Sequence, residues 1–223
     1  MKSFDRGRVG LLIFDLDGTL ADTIWSIRDG VNIALEKHGF EKRSYDEIRL
    51  AIGNGARELV RLSVPAEARD DAVLVDRVFR DYESAYGETF RSCNTCYEGM
   101  VESLCELKAR GYTIAVLSNK QDMYVKELVK ILLPEGMSKI SMGQTALPRK
   151  PDPTVPLMIA KELGFSPAET AFVGDSDVDI ITAKNAGMIS VGCAWGYRGE
   201  KVLREVCSDV VIQAPTELLD IFL

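Results

Sequence analysis

Histidine is nearly missing from this chain: 223 residues carry one, His38. Imidazole-based acid–base chemistry and a Ser–His–Asp triad thus have a single candidate, placed at the end of a helical pattern, where a surface residue is the plain reading. Lys/Arg clusters are missing too, and the net charge is −7, which excludes a nucleic-acid partner. No apolar run approaches the ~20 residues that a membrane helix needs. Residues 1–6 lack the apolar core of a signal peptide, so no membrane partner and a cytoplasmic location are expected. Five cysteines, an odd number, do not form a disulfide framework. Cys93-Asn94-Thr95-Cys96 has no second pair or His cluster to complete a zinc site, and reads as reduced thiols in a connector. Internal repeats and low-complexity stretches are absent.

What is present is alternation. Short apolar runs at 9–14, 113–117, 140–142, 170–173, 189–193 and 210–212 read as buried strands. Helical patterns at 100–110, 122–132, 153–163 and 177–186 lie between most of them. This order predicts an α/β fold: a Rossmann-like parallel sheet core with helices on both faces and ligands at the carboxyl ends of its strands. One region breaks the order. Ile24, Ile27, Val31 and Leu35 make one helical stripe, and Val75, Val78, Phe79, Tyr82 and Tyr86 another. They predict an all-helical cap, residues 21–90, inserted into a discontinuous core of 1–20 and 91–223.

Four short motifs carry chemistry. Asp15-Leu16-Asp17-Gly18-Thr19 follows the first strand. Two acids two residues apart at a strand end point the same way, and their repulsion calls for a cation, a proton or an electrophile. Ser118-Asn119-Lys120 ends the next strand, where a hydroxyl and a backbone N–H suit phosphate oxygens; a helix N-cap explains them equally well. In Lys150-Pro151-Asp152-Pro153, Pro151 holds Lys150 extended, and Asp152 can cap a helix beginning at Pro153. An ammonium on so stiff a frame suits a phosphoryl group, against the ordinary reading of a solvated lysine. In Gly174-Asp175-Ser176-Asp177-Val178-Asp179, capping accounts for Ser176 and Asp177 but leaves Asp175 unexplained, and Asp179 falls in the first helical turn.

In this order and spacing the four motifs resemble those of the haloacid dehalogenase superfamily of phosphatases, over nearly the whole chain. Ile52-Gly53-Asn54-Gly55-Ala56-Arg57, Ala183-Lys184-Asn185-Ala186-Gly187 and Trp195-Gly196-Tyr197-Arg198-Gly199 resemble its phosphoglycolate phosphatase-like branch. The resemblance implies Asp15 as nucleophile, Asp17 as general acid and base, and one Mg²⁺ held by Asp15, the Asp17 backbone carbonyl, Asp175 and Asp179. It implies Ser118, Asn119 and Lys150 as the phosphoryl clamp. Thr19 is counted with the substrate residues, supporting the loop or orienting Asp17. In the cap, Gly53, Asn54 and Gly55 would face the site and Arg57 would take a carboxylate, the plain reading of Arg57 being an exposed helix residue. Trp195 reads as a cover for the sheet edge. Ser118 stands where threonine is common, and Tyr97-Glu98-Gly99 lacks a proline often found before that glycine. The implied activity is Mg²⁺-dependent hydrolysis of a small phosphorylated metabolite, 2-phosphoglycolate first, by a monomer or homodimer. A pyrophosphatase, a sugar-phosphate phosphatase, a phosphoglucomutase-type transferase and a non-catalytic binding module are the alternatives.

Overall fold

The computed structural model describes residues 9–223, so the 1–6 segment read for a signal and the start of the expected core lie outside the described residues. Among these, the first strand is β1 (Leu11–Phe14), buried along its whole length. A strand covered on both faces must be apolar throughout, which the run Leu-Leu-Ile-Phe satisfies. The strands that follow are β2 (Ala21–Asp22), β3 (Thr95–Cys96), β4 (Thr113–Gln121), β5 (Ile140–Gln144), β6 (Thr170–Gly174), β7 (Ile189–Cys193) and β8 (Val210–Ile212). β2 and β3 pair with each other, and the rest form a six-stranded sheet in the order β5-β4-β1-β6-β7-β8. Every pairing in the large sheet is parallel.

The helices are α1 (Ile24–Lys37), α2 (Tyr45–Ala51), α3 (Ala56–Ser63), α4 (Ala72–Thr89), α5 (Met100–Ala109), α6 (Asp122–Leu132), α7 (Thr154–Glu162), α8 (Asp177–Asn185), α9 (Gly199–Glu205) and α10 (Glu217–Phe222). Leu11, Ile13, Ala115 and Phe172 of the sheet pack under Val155 and Ile159 of α7 and Ala183 of α8. Alternation along β1 turns Leu12 and Phe14 to the opposite face. The sheet is therefore the covered, Rossmann-like parallel sheet that the alternation predicts.

Strand order decides where chemistry sits. After β1 the chain lays β4 and β5 on one side, then returns to place β6, β7 and β8 on the other. The winding reverses at β1, and Phe14 pairs with Val116 on one flank and Val173 on the other. The carboxyl ends of β1, β4 and β6 thus share the crevice where open α/β sheets bind ligands.

Two strand and helix boundaries differ from expectation. β4 runs on to Gln121 because pairing with β5 resumes at Gln121–Gln144, beyond an irregularity after Leu117. Ser118, Asn119 and Lys120 are therefore strand residues, and Gln121, not Ser118 or Asn119, is the N-cap of α6. α7 starts at Thr154, with Pro153 at its N-cap position and the Asp152 carboxylate accepting the Thr154 N–H at 2.9 Å.

By packing, the chain divides into two compact units: residues 22–95, and the described residues up to 21 together with 96–223. Residues 91–95, which periodicity places with the core, pack with the helical unit. Asn94 ties them there, accepting a hydrogen bond from the Ser26 hydroxyl of α1 at 2.8 Å. Within that unit α1 packs along α4, burying Ile24, Ile27, Val31 and Leu35 and, from α4, Val75, Val78, Tyr82 and Tyr86. Tyr82 and Tyr86 stack at 5.4 Å between ring centres.

Candidate active site

β1 ends at Phe14, so Asp15 is the first residue past the strand, its N–H still bonded to the Val173 carbonyl at 2.9 Å. β6 ends at Gly174, so Asp175 occupies the matching place one strand over. Asp179 sits in the first turn of α8 in a capping box, where Ser176 caps the helix and Asp179 returns the bond. One Asp179 oxygen accepts from the Ser176 hydroxyl at 2.6 Å. Its other oxygen accepts from the Lys150 ammonium, also at 2.6 Å.

Lys150 Nζ donates to Asp15 Oδ1 at 2.8 Å as well, so one buried ammonium bridges two buried carboxylates. Its backbone is pinned by the Asn119 side chain, which accepts from Lys150 N at 2.9 Å and donates to Lys150 O at 3.0 Å. The Lys150–Pro151 peptide is cis.

Asp175 is held from two sides. The buried Thr19 hydroxyl donates to Oδ1 at 3.2 Å, and the Tyr197 N–H donates to Oδ2 at 2.6 Å. Thr19 thus orients Asp175. The loop that carries Tyr197 also brings the Trp195 indole N–H to the Thr19 carbonyl at 3.1 Å, so Trp195 braces the site loop and is more than a cover for the sheet edge.

Oxygen atoms of Asp15, Asp175 and Asp179 all lie within 4.8 Å of one another. Burial pushes the Asp15 carboxyl up to about 7; Lys150 opposes this, while Asp179 and Asp17 add to it. Burial also raises Asp175 well above the usual carboxylate range, helped by Asp179 and Asp15 and resisted by its bonds from Tyr197 and Thr19. For Lys150 burial works against the charge, yet Asp15 and Asp179 outweigh it and hold the ammonium above its usual value. Three acids around one ammonium in a dry site favour either a bound proton or a bound cation to offset their charge. The donors are all carboxylate oxygens, the set preferred by a hard divalent cation such as Mg²⁺. Cys193 adds no soft ligand, because burial and the nearby Asp175, Asp179 and Asp15 push its thiol well above the usual range.

The Asp17 carboxylate stands outside that trio. Both its oxygens meet the Lys120 ammonium, at 2.9 and 3.0 Å. Nothing in the residues around Lys120 points to this pairing, because Asp17 lies on a different segment of the chain. Ser118 is buried, and its hydroxyl accepts from Lys120 N at 3.3 Å.

Gly53, Asn54, Gly55 and Arg57 belong to the helical unit, at the turn from α2 into α3. Gly53 and Gly55 have φ of 117° and 82°. Arg57 is exposed and paired with Asp76, Nε to Oδ1 at 2.9 Å. His38 also lies in this unit, its Nε2 2.7 Å from Asp81 Oδ2.

A parallel α/β core that gathers three carboxylates and a lysine at its switch point is the frame of an enzyme. The description "Haloacid dehalogenase-like hydrolase" matches residues 12–193. The phosphoglycolate phosphatase 1 of Pseudomonas aeruginosa is 31% identical over 213 residues, covering 94% of this chain and 78% of that protein. A phosphoglycolate phosphatase of Haemophilus influenzae is 32% identical over 217 residues, covering 95% and 97%. A crystal structure from Haemophilus somnus 129pt, described as a predicted phosphoglycolate phosphatase, superposes with a TM-score of 0.89 at 27% identity, covering 97% of this chain and 99% of that one. The chain belongs to the haloacid dehalogenase-like hydrolase family, and its resemblance within it is to the phosphoglycolate phosphatase-like branch.

Proposed function

We propose that this enzyme is a Mg²⁺-dependent phosphatase of small phosphomonoesters, with 2-phosphoglycolate as substrate. The observation that carries the reading is the Lys150 bridge from Asp15 to Asp179 beside Asp175 at the switch point. It fixes the Asp15 carboxylate at the strand end, as a nucleophile requires. Asp15 attacks phosphorus in line, forming the aspartyl-phosphate as the bond to the leaving alkoxide breaks, and Asp17 gives that alkoxide a proton. Asp17 then takes a proton from the water that attacks the same phosphorus and returns Asp15. Lys150 and the Ser118 hydroxyl, with the Asn119 N–H, hold the equatorial phosphoryl oxygens. Asp15, the Asp17 carbonyl, Asp175 and Asp179 would hold Mg²⁺, which would supply charge neutralisation at this acidic site.

The helical unit serves as the cap that excludes water and chooses the substrate. Its Gly53-Asn54-Gly55 turn offers N–H groups to the substrate's non-reacting end. Arg57 exchanges Asp76 for the substrate carboxylate; an exposed pair of that kind costs only ~0.2–1 kcal/mol to leave. The relatives named phosphoglycolate phosphatase support this choice of substrate.

The test is phosphate release with Mg²⁺ across 2-phosphoglycolate, pyrophosphate, hexose phosphates and nucleoside monophosphates. Preference for 2-phosphoglycolate, abolished in Asp15→Asn, is the expected result. Turnover surviving in Asp15→Asn sinks the mechanism, and equal rates on all substrates sink the substrate.

A further inference from the structure

The site holds two lysines, and only one has been given work. We infer that Lys120 is a positioning residue for Asp17, holding its carboxylate where it takes the proton of the hydrolytic water. This rests on the reading of Asp17 as acid and base.

Three observations carry it. Lys120 Nζ faces both Asp17 oxygens, at 2.9 and 3.0 Å, so one ammonium restrains the carboxylate against rotation about both of its side-chain bonds. The pair is nearly dry, with 7% of the Lys120 and 11% of the Asp17 side chain exposed. A dry ion pair is worth keeping in one geometry, whereas a solvated one is not. Finally, labour is divided: Lys150, from the turn before α7, is committed to Asp15 and Asp179, while Asp17 has a cation of its own from β4. Lys120 sits on the part of β4 extended past Leu117, and the Ser118 hydroxyl beside it accepts the Lys120 N–H at 3.3 Å. Asp17 and the phosphoryl-binding hydroxyl are therefore referred to one piece of backbone.

The pairing assigns Lys120 to the second half-reaction. There Asp17 must be an acceptor, and an ammonium facing both oxygens keeps its carboxylate in one orientation. The first half-reaction, with a leaving group that needs no proton, should not require Lys120.

The experiment uses p-nitrophenyl phosphate with Mg²⁺ and compares wild type with Lys120→Met and Asp17→Asn in rapid-mixing and steady-state assays. In Lys120→Met the expected result is a burst of one p-nitrophenol per active site. A kcat about 10²-fold lower should follow, the lower end of what a positioned base supplies. KM falls in step, so kcat/KM holds. Asp17→Asn shows the same burst. If Lys120→Met fails to fold, as read by circular dichroism, Lys120→Gln, which keeps a donor, carries the same measurement. Loss of kcat/KM without a burst makes Lys120 merely structural and overturns the inference, as does unchanged kcat. Asp15→Asn separates the two claims. It should give neither burst nor turnover, and turnover there refutes the nucleophile itself, whereas a burst in Asp17→Asn but not in Lys120→Met refutes Lys120 alone.

Discussion

Asp175 shows how little room a single carboxylate at this site has. Gly18, at φ +85°, passes so close that a Cβ there would stand 2.5 Å from Asp175 Oδ2. A Cβ on Gly196 would stand 2.2 Å from the Asp175 Cβ and 2.4 Å from the Gly18 carbonyl oxygen. Neither neighbour is a flexible side-chain end, so the backbone has to move. Gly196→Ala is therefore expected to cost ~1–3 kcal/mol by overpacking and to displace Asp175 from the acid trio. A fall in melting temperature together with at least tenfold loss of kcat, on thermal denaturation and steady-state assay, is the expected pair of results. Asn119 acts more gently. Asn119→Ala removes both bonds that pin the Lys150 backbone, leaving two buried polar groups without their partner. A destabilisation of ~1–3 kcal/mol by urea titration is expected, with a fall in kcat larger than any rise in KM. Asp15 and Asp175 could be picked out from sequence because Asp15 directly follows an apolar run and Asp175 follows one after a single glycine. Lys120 could not, since its partner Asp17 is 103 positions away and no local pattern links them.

Two elements do more than their length suggests. β4 carries Ser118, Asn119 and Lys120 on strand backbone, giving each a fixed heading that a helix cap would not. α8 lends Asp179 both to its own capping box and to Lys150 through different oxygens, so helix start and site geometry are one structure. In the helical unit, α1 ends in Lys37 with His38 at its C-cap, and both meet Asp81 of α4. The bond from Lys37 and then that from His38 hold the Asp81 carboxyl below its usual value. A depressed carboxyl stabilises the fold above its unfolded value, near 3.9. That contribution is lost as pH falls through the lower folded value. Asp81→Asn should thus lower stability by ~0.5 kcal/mol at pH 7, given the pair's exposure. The gap from wild type should close below about pH 4, read by melting temperature against pH. The helical stripes on α1 and α4 were visible as periodicity, since 3.6-residue spacing is a local property. The end of β4 was not, because its last pairing is made with β5 across an irregularity.

At the scale of the whole molecule, the sheet order makes the site. Only a chain that turns back past β1 sets the ends of β1, β4 and β6 side by side. The acid trio this creates suits a cation, and a ligand that binds the folded state alone stabilises it by ~2.7 kcal/mol at a hundred times its Kd. Mg²⁺ should therefore raise the melting temperature of the wild type by ~5–10 °C at such excess, and by far less in Asp175→Asn. Chelator should remove both the added stability and phosphate release. No described helix is long and apolar enough to cross a membrane.

The sequence by itself determined the strand–helix alternation, the helical insert and the acids at the strand ends. Each of these is written in neighbouring residues, as a period, a turn or a position after an apolar run. It also carried the order of motifs by which the family is recognisable. Only the tertiary structure decided which cation serves which acid: Lys150 for Asp15 and Asp179, Lys120 for Asp17. Only it showed Thr19 turned to Asp175 and the Trp195–Tyr197 loop bracing it, and Arg57 paired with Asp76. The reason is that a long side chain can reach many partners, and which one it meets is set by strand order and register, not by its neighbours in the chain.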